Sequence, residues 1–316
     1  MYSSNPISPE QKQHISLSNY SYEVIRNDAL TFMGKINISG FINRILNNCS
    51  ESYFEDTDIS RKDSKLRLYP KDQTLKIRLN NKVCDYYYPF DGTWFGAKYK
   101  LSQGEYIKAL IEDYSRKTFF QRENIFYKET INTLSNSISE QKGIIPLIYD
   151  GTKKFYVKPF RLSNEYEAPY QYLVCLSSPA PDKEMVPASF RISRITDIKD
   201  AVTSYGSGKI KEKEKKELER RIKENGVPYI FGDTIDIIVK LTPSGIDMYN
   251  SIFHQRPIYK DIHKEADGMT LLTFHLTERQ ITNYFFPFGK EATIISPDKT
   301  HDWIKSRYQE AFESYD

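Results

Sequence analysis

Hydrophobic and polar positions alternate first over Lys12–Leu17. Ile15 and Leu17 share one face, while Lys12, His14 and Ser16 share the other. That period predicts a short half-buried strand. Residues 19–33 then place Tyr22, Val24, Ile25, Ala29, Leu30 and Phe32 at roughly helical spacing, with Gly34 as a natural stop. Ser39 precedes Phe41, Ile42, Ile45 and Leu46 and reads as the N-cap of a second helix. Leu75–Leu79 alternates again, now with Lys76 and Arg78 on the polar face. Downstream, Ser102-Gln103-Gly104-Glu105-Tyr106-Ile107 leads into a helix as Ser39-Gly40-Phe41-Ile42 does. An internal duplication explains the two patterns; the alternative is coincidence between short amphipathic stretches. If duplicated, the two ribbons should pair antiparallel within one chain. The intervening NKVCDYYYPFDG (81–92) is expected to be non-helical, because Pro89 and Gly92 interrupt it.

Residues 105–138 repeat apolar positions at helical spacing and predict one or two long helices ending at Gly143. From there the period changes. Strands are expected at 144–149, 153–160, 172–177 and 190–195, with Asp150-Gly151 as a hairpin turn. Several short strands within about 55 residues predict a small β-barrel or curled sheet. The run at 206–225 holds eight basic and five acidic side chains and reads as an exposed helical spacer. Beyond it the pattern is strand, helix, strand, strand, helix, strand, with a final helix after Pro297, an order resembling a split βαβ sandwich. The expected architecture is therefore α+β and multidomain: 1–142 mostly helical and nucleic-acid-binding, 143–205 a barrel, 206–226 a linker, and 227–316 a dimerisation domain.

Two stretches carry a family resemblance. The strand, helix, turn and helix of the first 50 residues resemble the ribbon-helix-helix layout. FYVKPFRL (155–162), QYLVCL (171–176) and FRISRI (190–195) resemble, in order and spacing, the WYL domain, a bacterial Sm/SH3-like β-barrel module. The name-giving triplet departs from the family, reading Gln171-Tyr172-Leu173 with no Trp. The resemblance implies a barrel that presents basic residues to a nucleic acid or anionic ligand, here Arg161, Tyr172, Arg191 and Arg194. It also implies that the split βαβ region is the C-terminal extension of such proteins. The whole combination looks like the WYL accessory proteins of type VI-D CRISPR systems. That likeness implies single-stranded RNA binding and stimulation of an RNA-guided nuclease.

Charge sharpens this picture modestly. The first 225 residues carry 36 basic against 29 acidic side chains, and the remainder 9 against 13. A basic front suits an anion, and an acidic back suits protein. Tyr284, Phe285, Phe286 and Phe288 in that back half predict a homodimer interface, unless they close the domain's own core. Three cysteines without a CxxC encode neither a disulfide framework nor a thiolate metal site, which fits a reducing cytoplasm. No apolar run reaches membrane-spanning length.

No catalytic constellation is visible. The five histidines, His14, His254, His263, His275 and His301, fall at neither HxxxH nor HExxH spacing, and no Walker loop or nucleophile elbow occurs. No enzyme, metal or cofactor is expected. Binding signals remain. The ribbons turn Lys12, His14, Lys76 and Arg78 outward, and a two-stranded ribbon fits the DNA major groove. The barrel offers Lys158, Arg161, Arg191 and Arg194 among Tyr156, Tyr170 and Tyr172. Basic groups track phosphates while aromatic faces stack on unpaired bases. Arg191 and Arg194 can share one pocket only if the strand ends or bulges near Ser193; one of them could instead pair with Asp197 or Glu165. Two function classes follow: an RNA-binding accessory protein, or a ligand-responsive DNA-binding transcriptional regulator.

Overall fold

The computed structural model describes residues 12–49, 70–87, 102–164 and 170–315; Pro89, Gly92 and Glu165 lie outside them. Two compact units divide the chain, Met1–Ile131 and Asn132–Asp316. Among the described residues no helix is long and apolar enough to cross a membrane.

In the first unit, β1 (Lys12–Leu17) pairs antiparallel with β2 (Gln73–Arg78), as the duplication reading requires. Strand β1 leads into α1 (Asn19–Met33) and α2 (Ile38–Asn48). Among the described residues, strand β2 is followed by α3 (Asn81–Tyr87) and α4 (Gln103–Arg116), so the order strand–helix–helix occurs twice there. The Ser18 hydroxyl caps α1, and Gly34 ends it at φ 69°. The cap of α2 is Asn37, not Ser39, since the Asn37 oxygen accepts the Gly40 N–H at 3.0 Å. Ser39 is already helical. The expectation for residues 81–87 was wrong. Asn80 accepts the Val83 N–H at 2.9 Å and starts a helix there, and both breakers stand after its last residue. Gly104 permits a close approach: a Cβ there would lie 2.8 Å from the His14 carbonyl oxygen.

The long helical stretch is three helices rather than one or two: α4, α5 (Phe119–Phe126) and α6 (Lys128–Glu140). Thr118 and Ser102 each form a capping box that restarts the chain as helix. Ile15, Leu17 and Ile77 from the ribbon are buried, as are Phe41 and Tyr114. Burial of charge is compensated. Asp28 accepts from Tyr114 Oη at 2.8 Å and Arg122 Nε at 2.6 Å. Burial, with Asp28 beside it, pushes the Tyr114 phenol well above its usual range.

The second unit holds two sheets. The first has strand order β6-β5-β4-β3-β7, with β3 (Ile145–Tyr149), β4 (Lys153–Asn164), β5 (Gln171–Ser178), β6 (Val186–Arg191) and β7 (Ile195–Ile198). Asp150 and Gly151 both take positive φ, 53° and 75°, which suits the tight hairpin expected there. Pro159 sits beyond the last β3 partner, Val157, and beside a bulge, where its missing N–H breaks no ladder on that side. The sheet curls. Strands β3 and β6 would stand roughly 14 Å apart in a flat sheet. Yet the rings of Tyr149 and Phe190 lie 5.1 Å apart.

The second sheet has order β11-β8-β10-β9, all antiparallel, with β8 (Thr234–Leu241), β9 (Asp261–Lys264), β10 (Thr270–Thr277) and β11 (Ala292–Ser296). Helices α8 (Pro243–Ser251), α9 (Glu278–Phe285) and α10 (Asp298–Glu313) complete a split βαβ arrangement. Tyr284, Phe285 and Phe288 are buried within its core, so they close the domain itself and give no reason for a dimer interface. Only Phe286 of that cluster is exposed, and it stacks on Tyr308 at 4.9 Å.

Candidate nucleic-acid interface

Register decides what the ribbon presents. Lys12 stands opposite Arg78, and His14 opposite Lys76. Because facing residues share a side of the pleat, all four lie on one outward face. His14, Lys76 and Arg78 are exposed and Lys12 is half-buried. Among the described residues, none of the four has an ion pair. Like charges directly opposite one another repel. An anion laid across the ribbon would relieve that repulsion.

The curled sheet presents a different arrangement. Strand β6 ends at Arg191, and a single 3₁₀ turn, Ile192–Arg194, leads into β7. A continuous strand over 190–195 is therefore not formed. Its break turns Arg191 and Arg194 toward the same cleft, of about 590 Å³. That volume falls in the range of small-ligand sites. The Arg191 guanidinium lies 3.1 Å from the Tyr170 ring centroid. Arg194 forms a fork with Asp150, at 2.6 Å for each bond, and lies 4.8 Å over Tyr149. The Asp150 hydrogen bond raises the Arg194 pKa above its ordinary value. One arginine does pair with a carboxylate, but the partner is the turn residue Asp150 rather than Asp197, and Glu165 lies outside the described residues. Asp197 pairs instead with Lys199.

Tyr172 faces Arg191 across the β5–β6 ladder and lines the same cleft. Lys158 and Arg161 do not line it. They face Leu176 and Val174, side chains on the sheet surface that packs against Leu218. Leu218 belongs to α7 (Glu212–Asn225), the charged run. The run is helical as expected, but one stripe of it is core: Leu218 is fully buried with Val174, Leu176, Val227 and Ile230. Arg221 from the same helix donates to the carbonyls of Ile230 and Gly232 and to Asp233 at 3.1 Å. These bonds hold the segment that carries Tyr229 and Phe231 to the cleft. Hydrogen bonds from Arg220 and Arg221 hold the Glu217 carboxyl down to about 2.

Sequence reasoning missed two cations that line the cleft, Lys153 and Arg279. Both are exposed, and neither has an ion pair among the described residues. Lys153 follows the Asp150-Gly151 turn, so the hairpin signal pointed near it. Arg279 opens α9 of the second sheet's domain, and only tertiary packing brings it here. Among the described residues, no group of three or more His, Cys, Asp or Glu could hold a metal ion. Cys49 and Cys175 are buried free thiols; burial pushes Cys49 up to about 12 and raises Cys175 as well.

No protein-family model matches the chain, and no curated protein matches it. Among solved structures, one described as the crystal structure of a CRISPR Cas-related protein matches at a TM-score of 0.72 and 23% identity. The match covers 99% of this chain and 96% of that one, so the fold is shared over the full length. Proteasome accessory factor B/C (PafBC) of Arthrobacter aurescens matches at a TM-score of 0.27 and 12% identity, over 78% of this chain and 39% of that one. A score that low supports no structural conclusion.

Proposed function

We propose that this chain is a non-catalytic nucleic-acid-binding accessory protein that takes up single-stranded RNA in the 590 Å³ cleft and modulates an RNA-guided, RNA-targeting CRISPR effector. In this reading the curled sheet is a WYL-type Sm/SH3-like barrel. The twice-used strand–helix–helix pattern is a single-chain ribbon-helix-helix pair. The observation that carries the proposal is the joint presence of several cations and aromatic rings in one cleft. Lys153, Arg191, Arg194 and Arg279 meet a single carboxylate there, Asp150, amid Tyr149, Phe155, Tyr172 and Phe231. Guanidiniums bind phosphates bidentately and stack on bases. Unpaired strands expose the base faces that these rings need, and duplexes hide them. The full-length likeness to a CRISPR Cas-related protein supports the accessory setting. The test is filter binding of matched single-stranded RNA, single-stranded DNA and duplex DNA at one salt concentration. Tightest binding of single-stranded RNA is expected. Equal or better binding of the duplex would refute the proposal.

The ribbon supports a second reading. Its outward face of Lys12, His14, Lys76 and Arg78 suits a major groove, as in a ligand-responsive DNA-binding regulator. Duplex binding that vanishes with Lys76→Ala and Arg78→Ala would favour it.

A further inference from the structure

The charged helix α7 sorts its residues by face. Leu218 and the half-buried Ile222 pack on the curled sheet, and Arg221 turns inward with them to hold the segment that follows the helix. The opposite side carries Lys213, Lys216, Arg220 and Lys223, all exposed. Steps of three and four residues keep such positions on one line along a helix. At about 1.5 Å per residue the ridge is about 15 Å long.

The acidic neighbours of the ridge are already engaged. Glu212 pairs with Lys215 at 3.7 Å, and Glu217 pairs with Arg220 and Arg221. Glu224 pairs with Arg220, and Glu214 accepts the Lys211 N–H at 2.6 Å. Lys213, Lys216 and Lys223 form no ion pair among the described residues. Of the glutamates of α7, Glu219 alone is left to offset these three lysines. Like charges three and four residues apart destabilise a helix. Phosphates laid along the ridge would remove that cost.

The ridge ends beside the first cleft. After Lys223 the helix runs to Asn225, and Pro228, Tyr229 and Phe231 line that cleft. At about 1.5 Å per helical residue and at most about 3.6 Å per extended one, no more than about 14 Å of backbone separates Lys223 from Pro228. RNA that leaves the cleft on this side therefore meets free lysines within a short span.

We infer that the outward ridge of α7 is a backbone track, on which Lys213, Lys216 and Lys223 bind phosphates of RNA continuing from the first cleft. This rests on the proposed binding of single-stranded RNA there. The compact, mobile charge of lysine suits phosphates met in any sequence. Nearness to the cleft favours RNA over an acidic protein surface as the occupant. The cleft holds the RNA and the ridge lengthens the hold, so RNA too short to pass beyond the cleft should not feel the ridge.

Fluorescence anisotropy on the full chain tests this with oligo-U of about 4 and about 16 nucleotides, the range of single-strand site sizes. The variant is Lys213→Gln, Lys216→Gln and Lys223→Gln together; Arg220 stays in place because it secures Glu217 and Glu224. The longer RNA should bind the variant more weakly, with a slope of log affinity against log salt flatter by roughly 1–2, at about 0.7 per phosphate contact. The shorter RNA should bind as it does to the parent. A control variant, Lys264→Gln, Lys290→Gln and Lys305→Gln, removes equal charge from exposed positions elsewhere and should leave both affinities nearly unchanged. Unchanged binding of the longer RNA by the folded ridge variant would overturn the track and leave the proposed function standing. Equal weakening by the control variant, or of the shorter RNA, would overturn it as well. Failure of the parent to bind either RNA would overturn both.

Discussion

The ribbon and the first cleft carry similar charge in unlike settings. On the ribbon, three permanent cations and a histidine stand on an open surface with no internal partners among the described residues. In the cleft, Arg191 rests on Tyr170, and Arg194 is locked to Asp150 over Tyr149 before any ligand arrives. A free side chain loses rotamer entropy when it is immobilised, at a cost of about 0.5–1.5 kcal/mol for each rotamer-rich group. For Arg191 and Arg194 that cost is met during folding, and for the ribbon's cations it is not. The ribbon is thus suited to salt-sensitive, sequence-blind attraction, and the cleft to holding one strand in one register. Charge density alone does not separate two such surfaces; concavity and fixed orientation do.

The largest expected effect concerns the scaffold behind the cleft. Leu218→Ala removes a fully buried side chain joining α7 to the curled sheet and should cost about 2–5 kcal/mol of stability. Chemical denaturation measures it. Because α7 also ties down the segment bearing Tyr229 and Phe231, RNA affinity should fall as well, although no cation has changed. The ribbon has no such dependence.

A middle-sized effect is expected at the ribbon. Replacing Lys12, Lys76 and Arg78 together with alanine should flatten the salt dependence of duplex DNA binding by roughly 2–3 in log–log slope, at about 0.9 per phosphate contact. Single-stranded RNA binding should change little. If RNA binding collapses instead, the two surfaces work as one, and the contrast drawn between them fails.

The smallest effect is a pH dependence. The Glu217 carboxyl is held at about 2 by Arg220 and Arg221, below its unfolded value. A depressed acid stabilises the fold fully above the unfolded value, about 4.3, and that contribution fades as pH falls toward 2. Glu217→Gln should therefore lower stability slightly at neutral pH and leave it nearly unchanged near pH 2. The side chain is more than a third exposed, so solvent screening should keep the difference small. Thermal melts at the two pH values check the sign.

Local signals made much of the fold legible. Alternation located β1 and β2, a glycine ended α1, and Asp150-Gly151 marked the hairpin. Strand-by-strand patterning gave the order of the split βαβ region. Failures came where local evidence met tertiary context. Breakers at 89 and 92 were given reach over residues 81–87, which Asn80 had already committed to helix. The aromatic run at 284–288 has the same composition whether it faces a partner or its own core, and only packing separates those outcomes. The site divides similarly. Tyr172, Arg191 and Arg194 were found through sequence patterns, and the strand break that unites them was stated as a condition. Arg279 lies 85 residues from Arg194 in another sheet's domain. No periodicity joins two such positions.

The central claim is that a pre-oriented cleft, rather than general basicity, holds the strand. The slope of log affinity against log salt for single-stranded RNA tests it most directly, compared between the parent and an Arg191→Ala, Arg279→Ala double variant. Each phosphate contact to a single strand contributes about 0.7 to that slope. The variant should bind more weakly and show a slope flatter by roughly 1 or more, with thermal stability unchanged. An unchanged affinity and slope in the folded double variant would place RNA binding elsewhere and contradict the account.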